Sequence, residues 1–152
     1  MITENEVIDT QKSWSDGLLK IVSKHKNNED YIKETHDFID NIYDYNNGSV
    51  LFKPTLASDS QFRLSKESAV SYFIGNNDKY LEDTGFALKG WDNVIWENAM
   101  IKLEGDIAIA MGNYFFLNGS EKLKVEFSFV FKKYNDGIIK ILLHDSHLPY
   151  AK

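Results

Sequence analysis

From Val94 to Ser146 the chain reads as four runs rich in β-branched and aromatic residues: Val94 to Leu103, Asp106 to Leu117, Lys122 to Lys133 and Gly137 to Ser146. Turn signals at Gly105, Asn118-Gly119 and Asn135-Asp136-Gly137 separate them, with two to four residues between successive runs. Connections this short join neighbouring antiparallel strands and leave no room for a crossover helix, so the stretch predicts a meander. The third run alternates most clearly, with Leu123, Val125, Phe127, Phe129 and Phe131 on one face and Lys124, Glu126, Ser128, Val130 and Lys132 on the other. In the second, Ala108, Ala110 and Gly112 form a small-residue face that lets another element approach closely.

The first half has the other periodicity. Thr3 followed by Glu6 is a capping box, and Val7, Gln11, Trp14, Leu18, Ile21 or Val22, and His25 recur at helical spacing. Asn27-Asn28 breaks that helix, and a second begins near Asp30, with Tyr31, Thr35, Phe38 and Ile42 on one stripe and Ile32, Ile39 and Tyr43 beside it. A short strand, Ser49 to Lys53, stops at Pro54. Ser65 caps a third helix carrying Ala69, Val70, Tyr72 and Phe73, and Gly75 ends it. The polar segment from Asn76 to Lys89 reads as a covering loop. Three helices followed by a long antiparallel sheet make an α+β domain of one unit, which suits 152 residues.

Several function classes are excluded by composition. With 23 acidic against 17 basic side chains, the net charge of -6 disfavours nucleic acid and anionic membranes. The absence of cysteine removes disulfides, thiolate metal sites and a cysteine nucleophile. Met1 to Glu6 lacks the basic start of a signal peptide and no run approaches membrane-spanning length, so a cytoplasmic protein is expected. His144 and His147 fall on opposite faces of a strand and no carboxylates cluster near them, so neither a metal site nor a cofactor is expected.

The apolar last strand ends in His144-Asp145-Ser146-His147, and alternation puts His144 and Ser146 on one face together with Leu142. Glu126, Ser128, Asn98 or Glu97, and Asn113 or Tyr114 lie on the strands beyond. Converging on His144, they would form a polar site in an aromatic wall, with Trp14 and Trp96 candidates for that wall. Alternatively, Glu126 pairs with Lys124 or Lys132 on an outer surface, His144 and Ser146 cap the strand end, and the tryptophans are core. Arg63, the sole arginine, suits a carboxylate or phosphate ligand, or pairs with Asp59, Glu67 or another acid.

The order helix-helix-strand-helix and then four strands resembles the cone-shaped nuclear transport factor 2-like superfamily. Asp136 to Pro149, "DGIIKILLHDSHLP", is similar to the last strand of the calcium/calmodulin-dependent protein kinase II association domain, matched at His144, Ser146 and Pro149. Val50 to Ser58, Ser68 to Gly75 and Ala108 to Phe116 look like a bacterial branch of that association-domain and SnoaL-like group. The resemblance implies a curved sheet wrapped on the first helix, assembly into a dimer or larger ring, and His144 and Ser146 at the cone's opening. Two functions follow as expectations. The first is a non-catalytic small-ligand-binding or self-assembly module. The second is a cofactor-independent SnoaL-like lyase, isomerase or hydrolase with His144 as acid or base and Glu126 or Arg63 stabilising charge.

Overall fold

The Thr3 N–H donates to the Glu6 carboxylate at 2.9 Å and the Glu6 N–H to Thr3 Oγ1 at 3.2 Å, closing the capping box that starts helix α1, Glu4–Lys26. The computed structural model describes every residue from Met1 to Lys152. Val7, Gln11, Trp14, Leu18 and Ile21 form the buried stripe of α1. Helix α2, Tyr31–Ile42, is capped by Asp30 and buries Thr35, Phe38, Ile39 and Ile42. The two helices meet at Gly17, where a Cβ would lie 2.4 Å from the Phe38 ring. Helix α3, Lys66–Ile74, starts at the Ser65 cap and ends at Gly75, as the sequence predicts. No helix is long and apolar enough to cross a membrane.

The strands are β1 Leu51–Lys53, β2 Asn93–Glu104, β3 Ile107–Asn118, β4 Glu121–Lys133 and β5 Ile139–His147. Their order in the sheet is β1-β5-β4-β3-β2. Strands β2 to β5 form the expected antiparallel meander, but the sheet as a whole is mixed. Strand β1 runs parallel to β5, with Phe52 opposite His144. Its three residues carry no sign of direction, and the long stretch from α3 through β4 supplies the return that a parallel pair requires.

Two bulges bend the sheet. One lies in β2 between Asn98 and Met100, where Gly112 of β3 approaches so closely that a Cβ there would sit 2.1 Å from the Glu97 carbonyl oxygen. The other lies in β5, where Val130 pairs with Leu143 but Phe131 pairs with Ile141, leaving Leu142 as the extra residue. This breaks the expected alternation: Ile141, His144 and Ser146 are buried, and Leu142 leaves their face. The inner face of β4 is the expected one, Val125, Phe127, Phe129 and Phe131.

Two loops close one end of the cone, and a buried ion pair ties them together. Arg63, 0% exposed, donates from Nη1 and Nη2 to the two oxygens of Asp83, both at 2.7 Å, from Nε to the Ser60 carbonyl and from Nη1 also to the Ser68 carbonyl. The neighbouring Glu82 carboxylate accepts the backbone N–H groups of Ser58, Asp59 and Ser60. Thus the segment after Pro54 is fastened to the segment before Phe86. Asp83→Asn leaves the guanidinium buried against a neutral partner, and should lower unfolding free energy by roughly 3 kcal/mol in urea titration. An unchanged midpoint would show that the pair is not what fastens the loops.

Candidate active site

The bulge at Leu142 decides where the imidazole of His144 goes. It turns inward between its two ladder neighbours, Phe52 of β1 and Phe129 of β4, because residues directly opposite on adjacent strands present side chains to the same face. The rings stack: Phe129 at 4.0 Å between centroids and Phe52 at 4.9 Å, tilted by 20° and 18°. Trp14 of α1 meets the imidazole edge-on at 5.7 Å. His144 is 2% exposed, and burial lowers its pKa from 6.5 to about 3, so the ring is neutral at any ordinary pH.

Both ring nitrogens have partners. The Tyr43 hydroxyl lies 2.8 Å from Nδ1 and the Tyr114 hydroxyl 2.9 Å from Nε2. Tyr43 takes a hydrogen bond from Trp14 Nε1 at 2.9 Å. Beyond Tyr114 the chain continues to Ser146 Oγ at 2.6 Å and then to Thr55 Oγ1 at 2.6 Å. Burial raises the hydroxyl pKa values of Tyr43 and Tyr114 well above the ordinary tyrosine range. Six residues from Trp14 to Thr55 therefore form one uncharged hydrogen-bonded line through an aromatic interior.

A cavity opens beside the far end of this line, walled by Phe52, Phe73, Phe86 and Phe116 and edged by Thr55, Tyr114, His144 and Ser146. Its free space is about 10 Å³, enough for on the order of one water molecule. Thr55, half-buried on the loop fastened by Arg63 and Glu82, stands at the mouth. Nowhere in the fold do three His, Asp or Glu side chains group as metal ligands would.

Among the residues singled out from sequence, Trp14, Tyr114, His144 and Ser146 meet at this cavity. The others do not reach it. Trp96 packs behind Tyr114 at 5.0 Å and donates to Ser15 Oγ. Asn98 exchanges two amide hydrogen bonds of 2.8 Å with Gln11. Asn113, Glu126 and Ser128 lie on the outer face, because Tyr114, Phe127 and Phe129 take the inner positions of the same strands. Glu126 therefore stands opposite His147, 3.5 Å from its Nδ1, rather than beside His144 or either lysine. Arg63 is spent on Asp83, neither Asp59 nor Glu67, and four of its five N–H donors are occupied inside the protein. Tyr43 and Thr55 are the members that sequence reasoning missed. Tyr43 has the spacing of a core residue, and Thr55 follows a Pro54 that marks only the end of a strand.

Comparison with known proteins gives the chain a family. A family model described as metal-independent carbonic anhydrase matches residues 5–148. The metal-independent carbonic anhydrase of Nostoc sp. (strain PCC 7120) is 38% identical over 155 residues, spanning 99% of this chain and 76% of that protein. The crystal structure of a cyanobacterial iota-carbonic anhydrase complexed with bicarbonate superposes with a TM-score of 0.95 at 35% identity, covering 99% of this chain and 94% of that one. A nuclear transport factor 2-like design aligns over 91% of this chain and 96% of its own with a TM-score of 0.53 at 17% identity, which supports the superfamily fold alone. These matches overturn the reading of a non-catalytic ligand-binding or assembly module. They also replace the SnoaL-like and association-domain assignment, which rested on the element order, the closing strand and three short upstream segments. The chain belongs to the metal-independent carbonic anhydrase family.

Proposed function

We propose that this protein interconverts carbon dioxide and bicarbonate at the cavity beside Thr55, Tyr114 and Ser146, without a bound metal. The observation that carries the reading is the line of neutral hydroxyls ending in an aromatic cavity, in a chain whose fold matches a relative solved with bicarbonate. Aromatic walls suit an uncharged linear molecule, and the hydroxyl edge suits the oxygens it acquires. A guest of three or four heavy atoms exceeds the free space, so the walls must give slightly on entry. The half-exposed Thr55 side is where they can.

In the forward reaction a water held by the Thr55 and Ser146 hydroxyls attacks the carbon. A C–O bond forms, one C=O electron pair moves onto oxygen, and the Thr55 hydroxyl at the end of the line donates to that oxygen and stabilises the developing charge. One proton of the attacking water leaves through the mouth to bulk solvent, balancing CO2 and H2O against bicarbonate and a proton. His144 is too weakly basic to retain that proton. Its contribution is to hold Tyr114, and through it Ser146, in line. Glu126, on the outer face, has no part in these steps.

The outer sheet face exposes Met100, Met111 and Ile109 together, an apolar surface that supports assembly into a homo-oligomer. Sedimentation should give a mass above that of one chain, and Met111→Lys should shift it toward the monomer. A monomeric parent protein would remove this part of the reading.

Stopped-flow hydration of CO2, with the protein dialysed against chelator, should show activity that added zinc does not raise. Ser146→Ala and Thr55→Val should each lower kcat/KM by about 10²-fold, the scale of losing one preorganised donor. Absence of hydration by the parent protein would sink the proposal.

The buried imidazole also fixes the response to acid. Between pH 6.5 and about 3 the unfolded chain takes up a proton at His144 that the folded chain refuses. Stability from this site is therefore complete above pH 6.5 and lost as pH falls toward 3. His144→Gln should flatten the decline of the urea midpoint between pH 6.5 and 4, and parallel slopes for the two proteins would contradict the burial effect.

A further inference from the structure

Trp14 fixes one end of the buried line because its indole N–H can only donate. It gives that proton to Tyr43, and the Tyr43 hydroxyl has just one other polar neighbour, Nδ1 of His144 at 2.8 Å. Tyr43 carries a single proton of its own, and Nδ1 is the only acceptor within its reach. Nδ1 must then be bare, and the proton of the neutral imidazole sits on Nε2. From there each donor has one direction left: Nε2–H to Tyr114, Tyr114 to Ser146, Ser146 to Thr55, with the Thr55 proton last at the mouth.

The opposite polarity places a proton on Nδ1. Tyr43 would then accept twice while its own O–H, fully buried, found no acceptor. A buried donor without a partner weighs against that tautomer by about tenfold or more in population. Every buried side-chain nitrogen and oxygen in the protein has a partner in either polarity, but only the first also gives the buried Tyr43 O–H an acceptor.

We propose that Trp14 and Tyr43 are positioning residues that lock His144 as the Nε2–H tautomer and so aim every hydroxyl proton of the line toward the cavity. The sense of aim is the useful one for a carbonic anhydrase, because the line ends in the Thr55 O–H, a donor at the cavity edge where bicarbonate has oxygens. Only that last consequence rests on the function proposed above. The tautomer follows from the hydrogen-bond geometry alone.

The test begins with the unmodified protein. Long-range 1H–15N correlation spectra of 15N-histidine-labelled protein at neutral pH, with His144 assigned by its loss in His144→Gln, should show a protonated Nε2 and a bare Nδ1. A protonated Nδ1 overturns the proposal. Tyr43→Phe, which removes one hydroxyl, should bring the two nitrogen signals toward a mixture of tautomers. It should also lower kcat for CO2 about tenfold with KM within about twofold. Retention of the parent tautomer and full kcat in that variant would equally overturn it. Should Tyr43→Phe not fold, the parent spectrum still decides. A parent protein with the expected tautomer but no CO2 hydration would sink the proposed function and leave the lock standing.

Discussion

An imidazole that is fully buried and uncharged must satisfy two ring nitrogens of opposite character, one donating and one accepting, with no water to help. In this fold that demand recruits Tyr43 from the end of α2 and Tyr114 from the middle of β3, and each of those needs its own partner in turn. Helix α1 contributes Trp14, and the loop after β1 contributes Thr55. The site is thus the route by which a single buried polar group is made tolerable. Phe52 and Phe129 bury their rings against it, and apolar burial of this kind, roughly 1.5–3 kcal/mol for each large side chain, offsets the loss of hydration.

Such a line tolerates little displacement, and the surrounding structure is correspondingly constrained. The extra residue at Leu142 rotates His144 and Ser146 inward together with Ile141, which strict alternation forbids. At the mouth, Arg63 and Glu82 hold the loop that carries Thr55 by contacts to backbone carbonyls and N–H groups, so its path is set by main-chain bonds. An ion pair of this kind is a poor source of stability compared with apolar packing, but it specifies one loop geometry among many.

Much of this was legible in the sequence, and what was not has identifiable causes. Helix boundaries at Thr3, Ser65 and Gly75 follow from capping chemistry, a local matter, and the inner face of β4 follows from period-two alternation. The shared face of His144 and Ser146 followed from alternation, whereas Tyr114 was named only beside Asn113, and Trp14 only as wall or core. Three features depend on contacts distant in sequence. The direction of β1 is set by its pairing with a strand at the other end of the chain. Asp83 becomes the partner of Arg63 only when two loops meet. Glu126 was drawn toward His144 because the strands are neighbours, yet the register that makes them neighbours puts the two on opposite faces. The resemblance drawn from the element order and the closing strand reached the fold and not the family, because one fold carries many chemistries.

The parallel pairing of β1 with β5 has a consequence for how the molecule comes into being. Phe52 emerges in the first half of synthesis, but its ladder partner His144 is among the last residues of the last strand. Helices α1 and α2 can dock on each other while the chain is still growing, whereas the cage stays open until β5 slides between β1 and β4. Pairings across so long a stretch of chain are slow to close, because loop entropy is spent before any contact repays it. The cavity is accordingly complete only once β5 is in place, and a nascent chain lacking β5 exposes the aromatic interior of its own unfinished site.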